Sequence, residues 1–286
     1  MSDDERKLLD TAGDYRYAVR DGQQVSGADW QSCRLVLTNK RLVLAGNGSN
    51  QTLPHGRVTI PDDPEEFVSD VSETLPLGMG SNVIVAAATD DPAFVQTYCR
   101  ANVGGEVLLV RHPAVVGGVI QDDAEWSKAR FAIDDEEFSL QFPDGESIAC
   151  ALDDIGTVET GSRTVMGEQR RVVEVEHTDS EGTSLETHLS GTDRHTSVLR
   201  TLFEQLVEAR DGEYELTEME NQVLMALYSG VSPFEMADFV GISVDEVEEI
   251  YQKLLDVGAV DEVRTRTEVS LNAQGRNMAS EAMNEQ

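Results

Sequence analysis

The stretch RLVLTNKRLVLAG, residues 34–46, reads almost the same outward in both directions from Asn39-Lys40. Folded there as a two-residue hairpin, it sets Leu37 opposite Leu42, Val36 opposite Val43 and Leu35 opposite Leu44. One face then carries four leucines, each contributing about 1.5–3 kcal/mol when buried, and a hairpin alone leaves that face wet. More sheet must cover it. The same grammar returns as WSKARFAIDDEEFSLQF, residues 126–142, which overlays WQSCRLVLTNKRLVLAG, residues 30–46, without a gap. Trp126 falls on Trp30 and Arg130 on Arg34, while Phe131, Ile133, Phe138 and Leu140 take the four leucine positions. Ala132 and Ser139 replace Val36 and Val43, which marks the leucine face as the buried one.

Both copies continue alike. Strands are expected at Val83–Ala88 in the first, and at Arg171–His177 and Ser184–Leu189 in the second. A Thr-Asp pair then opens a helix in each: Thr89-Asp90 before PAFVQTYCRANV, with Pro92 in the first turn, and Thr192-Asp193 before RHTSVLRTLFEQLVEAR. In the second helix Val198, Leu199, Leu202, Leu206 and Val207 form one apolar stripe. Antiparallel strands closed by one helix make a small barrel or bent sheet, and RLVLTNKRLVL resembles the second and third strands of pleckstrin-homology-like or GRAM-like domains. The copies are expected to join through HPAVVGGVIQDD, His112 to Asp123, with Pro113 and Gly117-Gly118 forming an ordered crossover.

After Asp211-Gly212 the period becomes helical. Thr217 and Glu220 form a capping box, followed by a face of Met219, Val223, Leu224 and Leu227. Ser232-Pro233 is expected to start a short helix, and Ser243 a third after Gly241-Ile242. Ala259 to Leu271 fits a two-stranded wing, giving a winged helix-turn-helix, and a short tail helix would place Leu271, Met278, Ala279, Ala282 and Met283 near one side. The fold class is therefore α+β and multi-domain: two tandem pleckstrin-homology-like domains, residues 1–112 and 113–211, each with a capping helix, then a winged-helix domain with its tail, residues 212–286.

Charge narrows the function. The 286 residues carry 54 acidic and 22 basic side chains, a formal net charge of −32. Such acidity fits a halophilic protein, because in molar salt the screening length falls to about 3 Å and self-repulsion fades. It disfavours nucleic acid and anionic membrane, which both need a basic stripe. The helix from Ser243 to Gly258 would offer a DNA groove Asp245, Glu246, Glu248, Glu249 and Asp256 against one Lys253. A DNA-binding transcription regulator is the alternative reading, and protein recognition the better one. A lipid reader would want a basic pocket at the hairpin turn, where the second copy has Asp134, Asp135, Glu136 and Glu137. No apolar run spans a bilayer and MSDDERKLLD has no signal architecture, so a cytoplasmic protein is expected.

Chemistry is sparse. Cys33, Cys99 and Cys150 have no CxxC spacing and read as reduced thiols. His55, His112, His177, His188 and His195 lack metal-ligand spacing, although His177 and His188 fall on what read as adjacent strands; carboxylates are too numerous for any pair to stand out. No catalytic, cofactor or metal residues are expected, and an enzyme is not indicated.

The hairpin WQSCRLVLTNKRLVLAG, the link EVLLVRHPAVVGGVIQDDAEWSKAR, the helical stretch VLMALYSGVSPFEMADFVG, residues 223–241, and the ending EVRTRTEVSLNAQGRNMASEAMNEQ together resemble the archaeal taxis CheF family over essentially the whole chain. The resemblance implies a haloarchaeal adaptor at the base of the archaellum, the archaeal swimming motor, that binds phosphorylated response regulator CheY and the motor's switch complex. It further implies a homodimer with CheY on the C-terminal domain. The local concentration of positive charge lies on the wing and tail, so CheY is placed against Arg264, Arg266, Arg276, Asn277, Met278 and Met283.

Overall fold

The computed structural model describes residues 5–46, 50–68, 73–179, 182–211, 216–256 and 259–260. They form an α+β protein with two compact units, residues 1–215 and 216–286. The expected wing beyond Val260 and the tail helix lie outside the described residues.

The larger unit holds two antiparallel sheets. The first comprises β1 (Lys7–Arg20), β2 (Gln23–Gln24), β3 (Gln31–Thr38), β4 (Arg41–Gly46), β5 (Asn50–Pro54), β6 (Thr74–Met79) and β7 (Asn82–Ala88), followed by helix α1 (Phe94–Val103). Its order is β5-β4-β3-β1-β7-β6, with β2 paired to β1. The second comprises β8 (Val107–Val116), β9 (Val119–Ile120), β10 (Ser127–Ile133), β11 (Glu137–Gln141), β12 (Ser147–Ala151), β13 (Ile155–Val165), β14 (Glu168–Thr178) and β15 (Ser184–Ser190), followed by helix α2 (Asp193–Asp211). Its order is β12-β11-β10-β8-β15-β14-β13, with β9 paired to β8. The two orders match strand for strand once β13 is removed. Both copies make a 3-10 turn directly after the outer hairpin strand, at His55–Arg57 and Leu152–Asp154; where the second then adds β13, the first makes a further 3-10 turn at Pro64–Glu66.

Both hairpins take the register read from the sequence. Leu35, Val36 and Leu37 oppose Leu44, Val43 and Leu42, and Phe131, Ala132 and Ile133 oppose Leu140, Ser139 and Phe138. All four leucines are fully buried, as are Phe131, Phe138 and Leu140, and Ile133 is partly buried. In each copy one long strand, β1 or β8, pairs on both sides and so carries its sheet around the core. Gly13 sits where β1 touches both neighbours: a Cβ there would lie 2.4 Å from the Ala87 carbonyl oxygen and 2.6 Å from Leu35 Cδ1.

The segment expected to be a crossover is instead the second half of this central strand. His112 and Pro113 lie inside β8, and Gly117 and Gly118, both at positive φ, turn the chain into β9. The domain boundary expected after His112 thus falls in mid-strand, and the second sheet begins at Val107. Pro113 is accommodated because the β8–β15 register shifts between Glu186 and His188, a bulge that needs no amide from it.

Helix α1 starts at Phe94, later than Thr89-Asp90 suggested: the Thr89 amide donates to the Ala12 carbonyl and prolongs the sheet, while Asp91 Oδ1 accepts from the Ala93 amide. Helix α2 opens as expected, with Thr192 Oγ1 accepting from the His195 amide. Its stripe buries Val198, Leu199 and Leu202, together with Phe203. The two helices pack on each other, and a single hydrophobic core runs from Leu35, Leu44 and Leu77 through Tyr98 to Phe131, Phe138, Val175 and Phe203. The copies are therefore fused around one interior. Polar contacts tie them further: Arg200 donates to the carbonyls of Pro61 and Asp62, and Ser197 Oγ accepts from the Ile60 amide.

The smaller unit contains α3 (Glu218–Tyr228), α4 (Met236–Val240) and α5 (Val244–Asp256). Thr217 and Glu220 form the expected capping box, and Ser243 and Glu246 form the same reciprocal pair at α5. Ser232-Pro233 begins a turn, and the helix proper starts only at Met236. Gly241, at φ 81°, ends it in the left-handed conformation that leads into α5. Val223, Ala226, Met236, Val247, Ile250 and Leu254 form the core of this unit.

Candidate functional site

The first hairpin turn is committed to internal structure. Thr38 Oγ1 accepts from the Lys40 and Arg41 amides, both at 3.1 Å. Arg41 makes two hydrogen bonds to Glu5, at 2.8 and 3.0 Å, and the Arg6 amide donates to Asn39 Oδ1. Beneath the turn, His55 Nε2 lies 2.9 Å from the Thr38 carbonyl and Nδ1 lies 3.1 Å from Asn102 Nδ2. These contacts assign the Nε2–H tautomer, with Nδ1 accepting, and burial pulls the ring's pKa down. A neutral His55 pins the turn to α1. The basic character of Lys40-Arg41 is thus half neutralised, and in the second copy Asp134 Oδ1 caps the acidic turn by accepting from the Glu136 and Glu137 amides.

In the smaller unit, α5 turns Asp245, Glu246, Glu248 and Glu249 to solvent and Val247, Ile250 and Leu254 inward. The Ser243 amide and hydroxyl hold Glu246 below its ordinary carboxylate pKa. Lys253 Nζ stands 4.0 Å from Glu220, which leaves the outer face of this helix negative. Such a face repels phosphate and suits a partner offering donors or cations. Arg264, Arg266, Arg276, Asn277, Met278 and Met283, the residues expected to meet CheY, all lie outside the described residues.

His177 and His188 do fall on adjacent strands, but on opposite faces. His177 turns inward, stacked on His112 at 5.8 Å, and both rings hydrogen-bond Thr187 Oγ1, at 2.9 and 2.7 Å. His188 turns outward, opposite Glu174 in the register and against Glu186. The adjacency of the two strands was legible in the sequence, but the grouping of His188 with Glu174 and Glu186 was not, because its members meet only through the β14–β15 register. The three cysteines are free thiols, and burial pushes Cys33 up to about 11 and Cys150 up to about 12. Thiols so shifted hold little thiolate for nucleophilic work. Among the described residues no helix is long and apolar enough to cross a membrane.

Comparison with known proteins places these observations. The sequence model described as "Archaeal Chemotaxis signal transduction system protein F" matches residues 7–209. A second, described as a domain of unknown function (DUF8579), matches residues 215–284. The chain is 39% identical to taxis protein CheF1 of Halobacterium salinarum over 292 residues, covering 100% of both chains.

Proposed function

We propose that this chain, which belongs to the family of archaeal chemotaxis signal transduction system protein F, is a non-enzymatic taxis adaptor that binds phosphorylated CheY and links it to the archaellum switch complex. The observation that carries the proposal is 39% identity over the full length of a taxis protein, spanning both the fused sheets and the helical unit. The acidic face of α5 supports protein rather than DNA as the ligand of the helical unit. In the fold, the strand order of each sheet and its closing helix support a pleckstrin-homology-like plan, and the α3–α4–α5 succession supports a winged helix.

Signalling then proceeds by differential affinity. CheY binds the helical unit and its tail, through Arg264, Arg266, Arg276, Asn277, Met278 and Met283, more tightly when phosphorylated. A halophilic homodimer at the cytoplasmic base of the archaellum passes that difference to the switch. Pull-down from a high-salt lysate, with and without a phosphoryl analogue that activates CheY, tests this. CheY and switch proteins should be recovered together and CheY should be enriched by the analogue; recovery indifferent to it removes the phosphorylation link. A chain cut after Leu271 should lose CheY yet still dimerise by light scattering, and unchanged CheY binding excludes the tail. A shifted operator fragment in molar potassium chloride would favour the transcription regulator instead.

A further inference from the structure

Glu174 faces His188 across β14 and β15, and Glu176 faces Glu186 on the same side. Because strand residues alternate, all four project away from Val173, Val175 and Leu189, which belong to the core. One ligand atom from each of Glu174, Glu186 and His188 falls within 4.8 Å of the others. These are not ordinary surface groups: Glu174 is 7% exposed and His188 5%. Beside them opens a cleft of about 230 Å³, lined among others by Thr157, Glu159, Glu174, Glu176, Ser184 and Glu186.

The polar atoms here are incompletely matched. His188 Nε2 contacts Glu186 Oε1, while Nδ1 is buried and makes no hydrogen bond. Arg163 Nη2 donates to Glu174 Oε2 at 2.9 Å. Its Nε stands 2.8 Å from Oε1, but the N–H is not directed at it, and Oε1 is left buried without a hydrogen bond. A buried imidazole nitrogen without a hydrogen bond is costly unless something else occupies it, and Glu174 Oε1 has the Arg163 ion pair in place of a hydrogen bond.

We propose that Glu174, Glu186 and His188 hold a divalent transition-metal cation of the zinc class. One imidazole and two carboxylates are a borderline donor set, suited to zinc and unlike the all-oxygen shells of magnesium and calcium. Ligands at about 2.0–2.2 Å from a tetrahedral ion stand about 3.3–3.6 Å apart, within side-chain rotation of the present arrangement. The cation takes the place of the direct contact between His188 and Glu186 and releases Arg163, whose side chain is 53% exposed and returns to water. The ion then clamps β14 to β15 on the outer face of the second sheet, independently of any role in taxis.

Full-length protein stripped with a chelator, held in molar potassium chloride with excess magnesium to occupy the loose acidic surface, is titrated with zinc by calorimetry and with cobalt(II) by visible absorption. One saturable equivalent is expected, together with the cobalt band of a nitrogen-containing site. Glu186→Gln and His188→Gln should each weaken binding at least tenfold while leaving the circular dichroism spectrum unchanged. Unsaturable uptake, or saturable uptake unaltered in either folded variant, overturns the proposal. Should His188→Gln fail to fold, Glu186→Gln, isosteric and on a partly exposed side chain, decides alone.

Discussion

Gly13 illustrates how much one side chain can be forbidden. Its backbone is squeezed between Leu35 on β3 and the Ala87 carbonyl on β7, and the carbonyl cannot yield as a flexible side-chain end would. Gly13→Ala should therefore destabilise the larger unit by about 1–3 kcal/mol, read as a lower urea midpoint. Gly56→Ala is the control: nothing lies within 4 Å of a Cβ there, and its φ is not positive. If both variants melt like the parent, the close approach at Gly13 carries no weight. The sequence offered no clue to this, since Gly13 sits in DTAGDYRY with neither a turn signal nor an apolar pattern around it.

At the scale of elements, the hairpins were legible and the central strands were not. Leu35–Leu44 and Phe131–Leu140 alternate with period two, so a register could be written down, and it is the one observed. Strand β8 was hidden by Pro113 and by Gly117-Gly118, breakers that resemble a linker until a bulge absorbs the one and a hairpin turn the other. The pairing of His188 with Glu174 was hidden for a different reason: cross-strand neighbours depend on register, and abundant carboxylates mask any one of them.

Strands β8, β14 and β15 are also joined on their inner side by His112, Thr187 and His177. Burial, and then the neighbouring His177, pull His112 from its ordinary 6.5 down to about 4, and burial likewise lowers His177 against the raising influence of Asp154 and Asp179. Between those two pH values the unfolded chain takes up a proton that folded His112 refuses. The stability due to this group is complete above 6.5 and falls as pH drops toward about 4. Denaturation midpoints taken from about pH 7 down to about 4.5 should decline less steeply in His112→Gln than in the parent. Parallel slopes would show that this buried pair does not govern the acid limb.

Seen whole, the larger unit is a duplication with one interior. Phe203 of α2 meets Phe131 at 6.2 Å and Phe138 at 5.2 Å edge-on, in the same core that holds the four leucines of the first hairpin. Phe203→Ala should cost about 3–5 kcal/mol and loosen both sheets together. Hydrogen exchange at β3 and β4 should accelerate along with that at β10 and β11; acceleration confined to the second sheet would mean that the halves unfold separately. The repeat was plain from the sequence, but the shared core was not, because each copy's own pattern is satisfied equally by a private interior.

The grip of Arg200 on the Asp62 carbonyl spans 138 residues of chain. At about 5–20 residues per second, a ribosome needs about 7–28 s to travel that distance. Over that interval the Ile60–Asp62 segment waits without the contacts that Arg200 and Ser197 of α2 will make to it, so whatever shields nascent chains in the cell must tolerate a first half whose last partners are still to be translated.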